Sequence, residues 1–260
     1  EEGLLPDGMK LVKSEGGLRM ELKKLPEGVP KDQWEMPWPW NMNCGWDPER
    51  RLVGWSLRQE SQASSMKLTD DFPMNQASSL SLELKVGGKG QEASKVSLIN
   101  SGYWGINVNK KCRYDLKFYL RPGTYQGELS VALEDDKGNV LARHSFGSIQ
   151  PGTNWAKFST RLKANRNSTS GKLVITFIGI GTLQIDWISL FPPTFKNREN
   201  GLRKDLSKYL EDLKPDFIRY PGGCYVEGFS WESAPDWSKM VCPPEERPGT
   251  WSYWKYRSTD

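Results

Sequence analysis

Between Val53 and Leu190 the chain repeats one pattern: short runs of alternating apolar and polar residues, separated by Gly, Pro, Asn or Asp. Alternation with period two marks strands with one face buried and the other in water. On this basis strands are expected at Gly54–Leu57, Ser65–Thr69, Leu80–Lys85, Lys95–Asn100, Tyr114–Leu120, Leu129–Leu133, Ala156–Leu162, Leu173–Ile178 and Leu183–Leu190. Turn residues such as Asp136-Lys137-Gly138-Asn139 stand between them. So regular a series, over about 140 residues, predicts an antiparallel sandwich with its core between two sheets.

The pattern changes at both ends. In the N-terminal stretch, Asp32–Trp40 interleaves proline with aromatics, which excludes helix and central strand. Residues 1–43 therefore read as an irregular segment pinned by its tryptophans, with one short strand at Leu18–Leu22. Beyond the sandwich, Leu202, Leu206, Tyr209, Leu210 and Leu213 recur at helical spacing, and Lys214-Pro215 ends the helix. The apolar run Phe217–Tyr220 is expected to form a buried strand of a parallel sheet. Pro221 halts it, and Gly222-Gly223 allow a free turn. Helix, turn, strand and glycine loop make one unit of an α/β barrel, in which loops after the strands build the active site. A strand ended by an ordinary Pro-Gly turn is the alternative. The expected organisation is an irregular segment at 1–43, an antiparallel sandwich at 44–193 and the start of a (β/α)8 barrel at 194–260.

Composition narrows the function classes. A chain of 260 residues holds one large domain or two modest ones. The net charge is only +4, with Lys and Arg spread along the chain, so no nucleic-acid partner is expected. No run of about 18 apolar residues exists, so no membrane span is expected. Glu1-Glu2-Gly3 is neither basic nor apolar, so no signal peptide is expected in this chain. Cys44, Cys112, Cys224 and Cys242 lack metal-type spacing, and a Cys44–Cys112 bridge is left open. His144 lies in an alternating stretch and reads as a solvent-facing strand residue, so neither a triad nor a metal site is expected. The 12 Trp could stack on sugars or fill cores, so the count does not decide between them.

Asn200–Leu206, Leu213-Lys214-Pro215, Arg219-Tyr220-Pro221-Gly222-Gly223-Cys224 and Val226-Glu227-Gly228 resemble the family-51 glycoside hydrolases, retaining α-L-arabinofuranosidases. The likeness continues through Pro244–Gly249 to Trp254 and Ser258-Thr259-Asp260. More loosely, Ser101–Asn107 and Ile185–Pro192 resemble the jelly-roll carbohydrate-binding modules found inside such enzymes.

The resemblance implies a mainly β chain, a sandwich followed by an incomplete barrel, taken from an enzyme that removes terminal arabinofuranosyl groups from arabinan or arabinoxylan. Retaining glycosidases use two carboxylates, a nucleophile and an acid/base. In the family both lie on later barrel strands, so no catalytic residue is expected within this chain. The family's first barrel strand is not found ahead of the sandwich either. Gly222, Gly223 and Cys224 resemble the loop under the arabinose ring, Arg219 an arginine that supports the nucleophile, and Trp254 an aromatic on the leaving-group side. Cys224 could equally be a small buried apolar residue. Tyr103 and Trp104 are candidates for sugar stacking, or a core and a rim residue. Pro244–Pro248 is expected to be a loop held by local ion pairs. The partner implied is an arabinose-containing polysaccharide, the location extracellular or periplasmic, and no cofactor or metal is called for. A non-catalytic carbohydrate-binding sandwich and a ligand-free spacer are the competing readings.

Overall fold

The computed structural model describes residues 9–14, 17–22, 54–60, 63–75, 81–88, 92–102, 105–199, 201–219, 238, 241–247, 250–251 and 257–258. The chain divides into two compact units. One comprises Glu1–Arg51, Pro221–Pro235 and Gly249–Ser258. Its described parts are two antiparallel hairpins, β1 (Met9–Ser14) with β2 (Gly17–Leu22) and β13 (Thr250–Trp251) with β14 (Arg257–Ser258). The Leu18–Leu22 strand is present, and it has a partner in a stretch the pattern left irregular. β1 escapes notice because Lys10 and Lys13 break up its few apolar residues.

The other unit, centred on Leu52–Tyr220, is the sandwich. Its strands are β3 (Trp55–Gln59), β4 (Ser65–Thr69), β5 (Ser81–Val86), β6 (Ser94–Asn100), β7 (Ile106–Val108), β8 (Arg113–Arg121), β9 (Gln126–Glu134), β10 (Val140–Ile149), β11 (Ala156–Lys163) and β12 (Ser168–Phe191). All pairings are antiparallel. The first half of β12 lies between β9 and β6, giving the sheet β10-β9-β12-β6-β3. The second half lies between β5 and β8, giving the sheet β4-β5-β12-β8-β11.

The two strands expected at Leu173–Ile178 and Leu183–Leu190 are thus one 24-residue strand that belongs to both sheets. The change of sheet falls at Gly179-Ile180-Gly181. Gly181 has φ +120°, and a Cβ there would stand 2.4 Å from the Thr124 carbonyl oxygen. Only glycine suits a backbone so conformed and so closely approached.

The core lies between the sheets and follows the alternation. Tyr114, Leu116, Phe118 and Leu120 of β8 face inward with Leu129, Val131 and Leu133 of β9 and Leu173, Ile175, Phe177, Leu183 and Ile185 of β12. Phe118 is fully buried, stacked on Phe158 at 5.5 Å and edge-on to Phe146 at 5.7 Å. His144 is exposed on β10 with its ring against Phe146, as its place in the pattern implies. Cys112 carries a free thiol, and Cys44, its candidate partner, lies outside the described residues.

After β12 a short 3-10 turn, Phe195–Asn197, leads to α1 (Lys204–Leu213). The helix sits where the spacing predicts and ends with Lys214 in the left-handed conformation. Its orientation is unusual for an amphipathic helix. Ser207 is buried, whereas Leu206, Tyr209, Leu210 and Leu213 are all exposed, Tyr209 and Leu213 by 72% each. The next segment corrects an expectation: residues 217–219 form no strand, and Phe217 is 84% exposed. A parallel strand is stable only with neighbours on its edges and helices on its faces, and among the described residues Phe217–Arg219 have neither.

Candidate functional site

Of the residues singled out by sequence, Gly222, Gly223, Cys224, Trp254, Tyr103 and Trp104 lie outside the described residues. Arg219 is described: it is exposed, in the irregular segment that follows α1.

What the structure does bring together is the outer face of the sheet β4-β5-β12-β8-β11. Inward Leu116, Phe118 and Leu120 force Lys117, Tyr119 and Arg121 outward on β8. The register then sets Lys157 of β11 opposite Tyr119, with its ammonium 5.4 Å from the ring centre. On the other side, β12 pairs Gln184 with Arg121 and Asp186 with Tyr119 before slipping at a bulge between Asp186 and Ser189. Ile188 turns into the core, while Trp187 meets the Tyr119 ring edge-on at 6.4 Å. Trp187 has φ +44°, a conformation that a bulky residue rarely adopts. The Asp186 Oδ1 accepts its backbone N–H at 2.7 Å, which holds the bulge in place.

Two segments are fastened across this face. The first is 70–75: Gln184 Nε2 donates to the Asp71 carbonyl at 2.7 Å, and Trp155 Nε1 donates to the Phe72 carbonyl at 3.0 Å. The Arg121 guanidinium lies 3.9 Å over the Phe72 ring and donates to Gln184 Oε1 at 3.1 Å. The second is 241–247. Glu245, its side chain only 10% exposed, accepts from Lys157 Nζ at 2.5 Å and from the Tyr119 hydroxyl at 3.1 Å. Asn75 Nδ2 donates to the Glu245 carbonyl at 2.7 Å, so the two segments also hold each other.

The expectation of a loop held by local ion pairs is corrected here. Within the segment Arg247 Nε donates to the Cys242 carbonyl, but the carboxylate of Glu245 reaches strands 88 and 126 residues away in sequence. Sequence reasoning missed this because only the outward placement of Tyr119 and Lys157 was legible, not what would land on them.

The electrostatics follow the geometry. Burial alone would raise the Glu245 carboxyl, but the hydrogen bonds from Lys157, the backbone and Tyr119 outweigh it and hold it below the usual glutamate value. Lys157 is raised, first by its hydrogen bond to Glu245. Tyr119 is raised by burial and then by the same carboxylate. An ionised acid paired with an ammonium and a neutral phenol is a fastening, not an acid/base pair. Among the described residues no cluster of three His, Cys, Asp or Glu could hold a metal ion. None of their helices is long and apolar enough to cross a membrane.

Comparison with known proteins completes the picture. Residues 209–260 match the sequence model of the alpha-L-arabinofuranosidase 1 domain. Alpha-L-arabinofuranosidase 1 of Arabidopsis thaliana is 34% identical over 181 residues, covering 67% of this chain and 26% of that protein. The extracellular exo-alpha-L-arabinofuranosidase of Streptomyces chartreusis is 34% identical over 176 residues, covering 63% of this chain and 21% of that protein. A solved structure of an arabinose-bound α-L-arabinofuranosidase of glycoside hydrolase family 51 superposes with a TM-score of 0.72 at 31% identity, over 80% of this chain and 34% of that one. The chain thus spans about a quarter of the length of the curated relatives it matches. A fold shared over most of its length and a C-terminal stretch matched to the arabinofuranosidase domain together place the chain in family 51 of the glycoside hydrolases.

Proposed function

We propose that the full-length protein containing this chain is a retaining α-L-arabinofuranosidase, secreted outside the cytoplasm, that removes terminal arabinofuranosyl groups from plant cell-wall polysaccharides such as arabinan and arabinoxylan. The observation that carries this reading is the match of residues 209–260 to the arabinofuranosidase domain, since that stretch contains Arg219-Tyr220-Pro221-Gly222-Gly223-Cys224. The extracellular Streptomyces chartreusis relative supports the location. The outward apolar stripe of α1 supports the architecture: Leu206, Tyr209, Leu210 and Leu213 are positioned as one helix of a barrel whose other units would cover them.

In this reading Gly222 and Gly223 let the backbone pass close beneath the arabinose ring, and Cys224 packs against it. Arg219 keeps the nucleophilic carboxylate ionised and oriented through a planar, always-charged guanidinium. Trp254 lines the leaving-group side. Tyr103 and Trp104 offer further stacking on the sandwich. The nucleophile and the acid/base belong to other parts of the enzyme, one on each side of the scissile bond.

The test is to assay the full-length protein and the 260-residue chain side by side on a chromogenic aryl α-L-arabinofuranoside. The full-length protein should turn it over with retained configuration, and the chain alone should not. Arg219→Ala in the full-length protein should depress kcat more than it raises KM, because its partner acts in the transition state. Cys224→Ala should raise KM with a smaller loss of kcat. Full activity in the Arg219→Ala variant would remove that residue from the mechanism.

A further inference from the structure

Beneath the 3-10 turn, where β12 leaves the sandwich, lies an open cleft of about 810 Å³ between the outer faces of β8 and β11 and the chain that leads to α1. Its volume is within the range of small-molecule and oligosaccharide sites. Its charge is one-sided: six cations line it against two carboxylates. Both carboxylates are committed. Glu199 pairs with Lys117, and Asp115 accepts from Arg161 Nε at 2.6 Å. Lys111, Arg113, Arg198 and Lys204 are left without an anionic partner among the described residues.

The backbone register makes this excess costly. Arg113 stands directly opposite Lys163 across β8 and β11, and like charges so placed repel. The cations come from three separate stretches of sequence, 111–117, 161 and 198–204, which is why the chain shows no basic run although the fold builds a basic cleft. Between them lie Ser159 and Ser189, which can hydrogen-bond a sugar, and the half-buried ring of Phe191, which can pack against one.

We infer that this cleft binds carboxylate-bearing sugar units, so that the sandwich holds the uronate-containing backbone of an acidic polysaccharide. Arg113 and Arg198 would take the carboxylates with paired N–H donors, and Lys111 and Lys204 would supply further positive potential. That the anion is a glycan rests on the arabinofuranosidase reading. That the site takes carboxylates rests on the cleft itself. The inference narrows the substrate to acidic arabinose-bearing polymers, with neutral chains held only at the arabinose pocket.

The test uses the whole 260-residue chain and equilibrium titration, which needs no turnover. Galacturonic-acid oligosaccharides of defined length should bind, and neutral arabino-oligosaccharides of equal length should bind at least tenfold more weakly. Binding should fall steeply as salt is raised, since these cations are exposed and screened within about 8 Å at physiological ionic strength. An Arg113→Gln/Arg198→Gln variant should lose about tenfold or more in affinity, the scale of one or two charge-assisted hydrogen bonds. Lys85→Gln/Arg143→Gln removes the same charge from exposed sites outside the cleft and should bind as the parent chain does. No binding of the acidic oligosaccharide at about 1 mM would overturn the inference. So would equal losses in the two variants, equal affinity for the neutral sugar, or tighter binding of duplex DNA than of the uronate. Hydrolysis of an aryl arabinofuranoside by the full-length protein is independent of all these outcomes, so failure of the cleft and failure of the enzymatic reading are separable.

Discussion

At the scale of single residues, the sandwich depends most on side chains with no alternative surroundings. Phe118 is fully buried between two further rings, so Phe118→Ala should cost about 3–5 kcal/mol of stability, measured by denaturant unfolding. Glu245 is a different kind of dependence, on charge. Its folded-state pKa lies below the ordinary value, so its contribution is present above the ordinary glutamate range and is lost as pH falls through the depressed value. The pairing with Lys157 persists to high pH, because Lys157 is raised above its ordinary value. Amide protection factors in 241–247, taken relative to the intrinsic exchange rate at each pH, should therefore fall on acidification below the glutamate range, and Glu245→Gln should show that loss of protection already at neutral pH. Protection factors unchanged by acid in the parent chain would contradict this. Much at this scale was legible beforehand. Outward Lys117, Tyr119 and Arg121 follow from inward Leu116, Phe118 and Leu120 by alternation alone. The Glu245 contact was not, since nothing local specifies which distant segment lands on an exposed tyrosine.

At the scale of elements, β12 and α1 carry the lessons. Both halves of β12 were readable as strands, but their continuity was not, because Gly179-Ile180-Gly181 reads as a turn when judged by residue type. The structure uses the same glycines to bend one strand from sheet to sheet. Gly181→Ala should destabilise by about 1–3 kcal/mol, since both the positive φ and the 2.4 Å approach to the Thr124 carbonyl oppose a Cβ. Thermal unfolding of that variant beside wild type checks it, and an unchanged midpoint would show that the bend tolerates a side chain. For α1 the spacing located the helix correctly, but it could not say what the apolar face would meet. In this chain that face meets water, so Leu213→Ala should change stability by less than about 0.5 kcal/mol, far below the cost of a core leucine. The segment after it shows the converse. Phe217 and Ile218 have the composition of a buried strand, and without strands beside them they do not form one.

At the scale of the whole molecule, the sandwich is the stable body, and the described segment most open to attack is the stretch after α1. Trypsin should cut after Arg219 before it cuts within β8, β9 or β12, because Asp216–Arg219 is exposed and outside any ladder, whereas those three strands are paired on both edges. The chain's partial span of its relatives sets the larger question. A sandwich fastened to the segment that follows an arabinofuranosidase-like glycine loop makes sense as one portion of an enzyme whose reacting carboxylates lie elsewhere. The most direct measurement is the release of arabinose from an aryl α-L-arabinofuranoside by the full-length protein, followed by NMR of the first-formed anomer, with the 260-residue chain as the control. Turnover with retained configuration by the full-length protein and none by the chain is the predicted result. An inactive full-length protein, an inverted product, or comparable turnover by the chain alone would contradict the account.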